Sequence, residues 1–287
     1  MHEADFPAEA DVVLATYNGE EFLAEQLETI LGQRGCVHTR LLVGDDGSID
    51  RTPGILEDFA QRFPGRLMLL PNPLRLGTSA NFNRLLQAST APYVFLCDQD
   101  DRWHADKVER SLRALRRLEA RWGPEHPLLL FTDLRVVDRS GRRIADSFWK
   151  YQRIDASRCL WKDLLLQNVV TGCTVAVNRP LLSRALPVPG SGFVHDAWLG
   201  LVAAVFGQIV ALPEVTVDYR QHGRNQIGAR AWTVGHILRR AVALLNRSNR
   251  SKRLGQVADQ AQALRTRFRD LPPEVWGLLT EVTNLPA

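Results

Sequence analysis

The chain has 287 residues, 45% of them hydrophobic, with a net charge of +4 and a pI near 9.1. That length and apolar share suit one large globular domain, alone or with an appendage. The longest apolar stretch, 197–212, is shorter than a bilayer span and is broken by Gly207-Gln208, and residues 1–10 are acidic without an apolar core. Neither a membrane span nor a signal peptide is therefore expected.

In chain order, residues 11–16 read as a first strand. Residues 20–33 follow as a helix, with Phe22, Leu23, Leu27, Ile30 and Leu31 at helical spacing. Residues 40–44 form a second strand, and Asp50-Arg51-Thr52-Pro53 opens a helix running to about residue 63. A third strand at 67–70, a helix at 79–88, a fourth strand at 93–97 and a charged helix at 105–121 complete this half. The β-α alternation predicts a Rossmann-like, doubly wound, mostly parallel α/β sheet flanked by helices. After Gly123 the pattern becomes α+β: a strand at 128–133, a short hairpin through Arg139-Ser140-Gly141, a helix at 161–166, a strand at 174–177, a helix at 196–206 and strands at 209–212 and 215–219. From Trp232 onward the chain reads as a helical appendage. Cys36, Cys97, Cys159 and Cys173 lack Cys-x-x-Cys spacing and read as free thiols of a reducing compartment.

Two acidic clusters end apolar strands: Asp45-Asp46-Gly47-Ser48 and Asp98-Gln99-Asp100-Asp101. Ligands of open α/β sheets bind beyond the carboxyl ends of the strands, so these carboxylates converge on one edge. Left uncompensated they repel one another, which calls for a divalent cation and a phosphorylated substrate. Alternation continued past the strand puts Asp98 and Asp100 on one side if the chain stays extended. Asp45-Asp46 fits hydrogen bonding to a base N–H and a ribose hydroxyl, beside the alternative of helix capping. Thr16-Tyr17-Asn18-Gly19 can bring an anion to a helix N-terminus or simply form a turn. His195-Asp196-Ala197-Trp198 opens a helix; Asp196 can serve as a general base and Trp198 as a stacking platform, or both can be structural. His222 can ligate a metal or be solvated. No P-loop, Gly-x-Gly-x-x-Gly fingerprint or nucleophile elbow is present.

These residues, in this order and together with Asn81-Phe82-Asn83, Trp103, Lys107, Thr171-Gly172-Cys173-Thr174 and Tyr219-Arg220-Gln221-His222, resemble the family 2 glycosyltransferases of GT-A fold over about residues 10–230. The Asp-Gln-Asp-Asp, His-Asp-x-Trp and Arg-Gln-His forms are similar to the bacterial rhamnosyltransferase-like branch that builds cell-surface polysaccharide. The resemblance implies a GT-A domain over 1–230, with a nucleotide-sugar half at about 10–122 and an acceptor half at about 123–230, followed by a basic helical segment over 231–287. It implies that Thr16, Tyr17, Asn18, Asp45, Asp46, Asn81 and Asp98 hold the nucleotide-sugar. Asp100 and His222 would bind Mg2+ or Mn2+, Asp196 would be the catalytic base, and His195 and Trp198 would meet the acceptor. The donor would be a dTDP- or UDP-sugar, with rhamnose the leading sugar, and the acceptor a glycan or a lipid-linked glycan. The Gln-x-x-Arg-Trp motif of processive synthases is absent, which favours a single sugar addition. A nucleotide-sugar-binding module without turnover and a sugar nucleotidyltransferase stand as alternatives.

Ten Lys and Arg residues against one acid lie between Arg230 and Arg269. With Ile237, Leu238, Ala241, Leu244 and Leu245 they suit a helix on anionic lipid, or equally a helix packed on the catalytic domain or on a second subunit. Peripheral contact through 232–253 at the inner face of the cell membrane and a homodimer are both compatible with a cytoplasmic protein. Few aromatics interleave with these charges, so no nucleic-acid partner is expected.

Overall fold

A computed structural model of the protein describes residues 8–35, 38–72, 74–190, 192–223 and 247–284. The apolar face expected at residues 237–245 lies outside them. Strands β1 (Ala10–Thr16), β2 (Thr39–Asp45), β3 (Leu67–Leu69) and β4 (Tyr93–Cys97) run parallel in the order β3-β2-β1-β4. Helices α1 (Leu23–Leu31), α2 (Thr52–Arg62) and α3 (Thr78–Ala88) make the crossovers, and α4 (Lys107–Trp122) follows β4. β1 and β4 are adjacent while their following connections diverge, so their carboxyl ends flank a crevice, the usual ligand position in such sheets.

The strands are apolar on both faces because both are covered. Val13, Leu42, Val94 and Leu96 point to one core with Phe82 and Leu85 of α3. Val12, Leu14, Leu41, Val43 and Phe95 point to the other with Leu23 and Leu27 of α1 and Leu112 and Leu115 of α4. This alternation of neighbours between two cores is the two-residue period of a strand. Each such fully buried side chain contributes about 1.5–3 kcal/mol.

The second half is antiparallel where it joins the first. β8 (Ala176–Asn178) pairs with β4 and with β6 (Leu128–Val137) in antiparallel fashion, and β6 then runs parallel to β9 (Gln208–Arg220). The two strands expected at 209–212 and 215–219 are one strand, whose register shifts opposite Thr132 and Asp133. Pro213 and Glu214 occupy the bulge, where a residue without an N–H is tolerated. The strand expected at 174–177 starts two residues later, after a 3-10 turn at Gly172–Thr174. Two-residue β5 (Arg102–Trp103) pairs with β9, and β7 (Arg143–Ala145) closes the hairpin on β6.

Four further helices surround this half: α5 (Phe148–Gln152), α6 (Trp161–Leu166), α7 (Arg179–Ala185) and α8 (His195–Phe206). Sequence periodicity does not announce α5 or α7, which are too short to show it. The C-terminal helices α9 (Arg247–Arg267) and α10 (Pro273–Thr283) bury Ala261, Leu264, Phe268, Val275 and Leu279 in the same core as Trp198. The described part of the C-terminal segment therefore packs on the catalytic domain. Among the described residues no helix is long and apolar enough to cross a membrane, and Cys97, Cys159 and Cys173 are free.

Candidate active site

The carboxyl ends of β1 and β4 open into a cleft of about 1090 Å³. Its wall is laced together by side chains of the loops themselves. Gln99 Oε1 accepts from Thr16 Oγ1 (2.6 Å) and from the Tyr17 N–H (2.9 Å), fastening the β4 turn to the end of β1. Gly19 is required there, because a Cβ would stand 2.7 Å from that same oxygen. Asn18 takes a left-handed conformation (φ 48°), which Asn tolerates better than most residues. Its N–H donates to Ser48 Oγ (2.8 Å) and its Oδ1 accepts from the Ile49 N–H (2.9 Å), so the β1 and β2 loops brace each other.

The two aspartates after β2 have different surroundings. Asp45 accepts from the N–H and hydroxyl of Ser48 and is not among the residues lining the cleft. Asp46 lines it, but its carboxylate accepts from the N–H groups of Leu76 (2.6 Å) and Gly77 (2.8 Å). Gly77 has φ +80°, which suits glycine, and it starts α3. Asn81 lines the cleft from α3 while its Nδ2 donates to the Gly44 carbonyl (2.7 Å), and its buried Oδ1 has no partner.

Asp98 and Asp100 both line the cleft, whereas Asp101 turns inward and is fully buried. Burial, and then the charges of Asp100 and Asp196, push the Asp98 carboxyl up to about 7. Burial and the neighbouring carboxylates of Asp100 and Asp98 push Asp101 well above the ordinary range. Lys107, buried beneath the turn, is held down to about 8 by desolvation against the pull of Cys173, Cys97 and Asp101. Arg220 at the end of β9 staples the turn: its Nε donates to the Asp100 carbonyl (3.1 Å), its N–H to Asp101 Oδ1 (3.3 Å) and its Nη2 to Glu25 Oε2 (2.5 Å). Two residues on, His222 Nε2 meets Asp100 Oδ2 at 2.7 Å.

These donors suit a cation. Carboxylates and an imidazole converge, and none of the described residues lining the cleft is a Lys or Arg. Among the described residues one converging group and one cleft-facing set overlap at Asp98. Asp98, Asp101 and the Cys173 thiol each offer an atom within 4.8 Å of one another. Asp98, Asp100 and His222 face the cleft instead. A hard cation such as Mg2+ or Mn2+ prefers carboxylate oxygen to thiol sulfur, and a ligand must reach it, so the cleft-facing group fits better.

Asp196 lies across the cleft at the start of α8. Gly172 lets its backbone pass beneath: a Cβ there would stand 3.1 Å from Asp196 Oδ2. Burial lifts the Asp196 carboxyl to about 6, opposed by the N–H groups of Ala197 and Gly172. His195 also lines the cleft, stacked on Phe82 at 4.0 Å, and burial lowers it to about 3, keeping it neutral. Trp198 corrects the expectation of a sugar platform. Its indole is 1% exposed, donates from Nε1 to the Ala185 carbonyl (2.8 Å) and stacks with Phe268 at 6.2 Å. The apolar body and the single polar handle are both used in the core. Sequence reasoning assigned no role to Gln99, Asn168, Gln256, Asp259 or Gln260, which also line the cleft. Gln99 sits inside the acidic motif and could have been found there; the others carry no motif.

The site thus presents carboxylates at the switch point of the parallel strands, sharing the cleft with the Asp196 carboxylate on the first turn of a helix. The profile of glycosyl transferase family 2 matches residues 11–121. The dTDP-rhamnosyl transferase RfbG of Shigella flexneri is 36% identical over 229 residues, which cover 75% of this chain and 74% of that protein. The chain belongs to glycosyl transferase family 2. An uncharacterized protein of Mycobacterium tuberculosis is 28% identical over 219 residues, and the match spans 75% of this chain but only 59% of that relative's length. The mannosyltransferase PcManGT of Pyrobaculum calidifontis, solved with GDP-Man and Mn2+, has the same fold: TM-score 0.59 at 18% identity, covering 98% of this chain and 81% of that one. The fold is GT-A.

Proposed function

We propose that the protein is an inverting, metal-dependent glycosyltransferase. It moves a hexose from a nucleoside diphosphate sugar to a hydroxyl of a glycan or lipid-linked acceptor. The observation that carries this reading is the Asp196 carboxyl, raised to about 6 and lining the same cleft as Asp98 and Asp100. A general base tuned toward the working pH is what proton removal from an alcohol needs. In this reading the acceptor oxygen bonds to the anomeric carbon, the bond from that carbon to the diphosphate oxygen breaks, and the hydroxyl proton passes to Asp196. Attack opposite the leaving group inverts the configuration without a covalent enzyme intermediate.

Asp100 and His222 are the residues assigned to hold Mg2+ or Mn2+, and Asp98, assigned to the nucleotide-sugar, lines the cleft with them. When bound, that ion offsets the charge that develops on the departing diphosphate. Thr16, Tyr17, Asn18, Asp45, Asp46 and Asn81 are assigned to the nucleotide side, where Asn18 and Ser48 already join the loops that would meet base and ribose. Similarity to a dTDP-rhamnosyl transferase supports dTDP-rhamnose as the donor, and the Mn2+ and GDP-Man bound to PcManGT support a metal-bound nucleotide sugar.

Calorimetric titration with dTDP and UDP, with and without Mn2+, tests this. Metal-dependent binding should be seen in the wild type and lost in Asp100→Ala. Absence of binding by both nucleotides with Mn2+ present would remove the reading.

A further inference from the structure

The cleft extends past Asp196 to a wall that belongs to the C-terminal helix. Ala261 and Leu264 of α9, with Phe268 just past its end, form the buried stripe that seats the helix on the core. Gln256 and Gln260 lie four residues apart, hence on one face, and with Asp259 they line the cleft. Opposite, Asn168 Nδ2 stands 3.4 Å from Asp196 Oδ1. Two polar atoms in this part of the lining are buried without a partner: Gln260 Oε1 and His195 Nδ1. Turning the Gln260 amide over would exchange an unpaired acceptor for an unpaired donor. A buried polar atom left unpaired is unfavourable unless a ligand or water satisfies it.

The chemistry of the wall narrows what that ligand is. Its charged groups are Asp196 and Asp259, with no Lys or Arg among the described lining residues, so a phosphate or carboxylate would be repelled. Amides from Gln256 and Gln260 offer paired donors and acceptors, which match vicinal hydroxyls, while the Asn168 amide is already bonded to Val170 and Asp196 and fixes that carboxyl. Phe193 lines the same region, and beside it Val194 is 48% exposed, giving an apolar patch for the C–H face of a ring.

We infer that α9 forms the acceptor subsite with His195, and that it takes a neutral, hydroxyl-rich sugar unit. This rests on the transferase reading for calling that sugar the acceptor, but not for its binding. A lipid-linked diphosphate, where the acceptor carries one, must then lie outside this part of the cleft.

The test uses the full chain and four probes: methyl glycosides of rhamnose, glucose, N-acetylglucosamine and glucuronic acid. Binding is read by saturation-transfer NMR in the presence of Mn2+ and dTDP, with nucleotide affinity measured in parallel by calorimetry. At least one neutral glycoside should bind, and the glucuronide should not. Gln260→Met, close in shape, should weaken the neutral glycoside about fivefold, the value of one hydrogen bond. Asp259→Asn should admit the glucuronide, and nucleotide affinity should change less than about twofold in either variant, because neither group belongs to the donor set. Absence of neutral-glycoside binding, unchanged binding by Gln260→Met, or a glucuronide that binds as well as the neutral sugars would each overturn the subsite. A wild type that binds glycosides but no nucleotide would keep the subsite and remove the transferase reading.

Discussion

Replacing Asp196 by Asn separates the proposed base from the scaffold, because the proposal and the structure give opposite expectations for activity and stability. Burial lifts this carboxyl from the ordinary 3.8 to about 6. Between those two pH values the folded protein keeps a proton that the unfolded chain has released. Stability therefore falls as pH rises through that window, and the full cost is present above it. A shift of about two units corresponds to about 3 kcal/mol of destabilisation by the ionised carboxylate. Asn cannot ionise, and its amide oxygen can still accept from the Ala197 N–H, a bond of 2.5 Å in the wild type. The variant should be more stable than the wild type by about 3 kcal/mol at pH 8, with the difference shrinking toward zero near pH 4. Urea denaturation of both proteins across that range, in EDTA so that no cation compensates the site, reads the difference directly. Turnover should fall by about 10²–10⁴, the usual contribution of a general base, with dTDP or UDP affinity retained. A stability difference that does not vary with pH, or a less stable Asn variant at pH 8, would refute the electrostatic reasoning. Loss of nucleotide binding would refute the assignment of Asp196 as base.

The wild-type pH profile offers an independent check: kcat/KM should rise with pH through about 6 and lose its acidic limb's dependence on Asp196 in the residual activity of the Asn variant. Trp198→Phe removes the indole bond to the Ala185 carbonyl and should lower stability by about 1–2 kcal/mol in thermal or urea melts, while acceptor KM stays unchanged. Phe268→Ala, which empties the space between Trp198 and Phe206, should cost about 3–5 kcal/mol if α9 belongs to the core, and almost nothing if it is a loose appendage. Gly44→Ala puts a methyl against the Asn81 side chain, which is itself bonded to the Gly44 carbonyl. A loss of about 1–3 kcal/mol is expected, and calorimetry would report weaker nucleotide binding as the β2 and α3 loops separate.

The parallel half of the fold is legible because local and tertiary signals agree. Strand β4 begins and ends where the sequence pattern puts it and helix α3 starts within one residue of it, while Asp98 and Asp100 reach the cleft through a turn after β4 and not through extended alternation. The second half is less legible because its strands and helices are short and their pairing is non-local. Nothing near Val175 tells that β8 will lie between β4 and β6, and nothing near Pro213 tells that one strand will continue through a bulge. Trp198 shows a different limit. A Trp one turn into a helix that begins His-Asp suits a platform or a core equally well by local rules, and the decision came from Phe268, seventy residues away.

That same distance explains why the proposed acceptor side is the hardest part of the site to read. On the donor side each residue sits at a strand end, so topology alone assembles Thr16, Asp98 and Asp100. The far wall depends on where α9 docks, and docking is set by the stripe Ala261, Leu264 and Phe268 rather than by the polar residues it carries. Gln256, Asp259 and Gln260 look like solvated helix positions until the helix is seated. Their substitution leaves the stripe intact, so recognition at this wall can change without disturbing the fold or the base. In the proposed reading, specificity for the acceptor is then separable from donor chemistry. Exchanging only Gln256, Asp259 and Gln260 should alter which glycosides bind while nucleotide affinity holds.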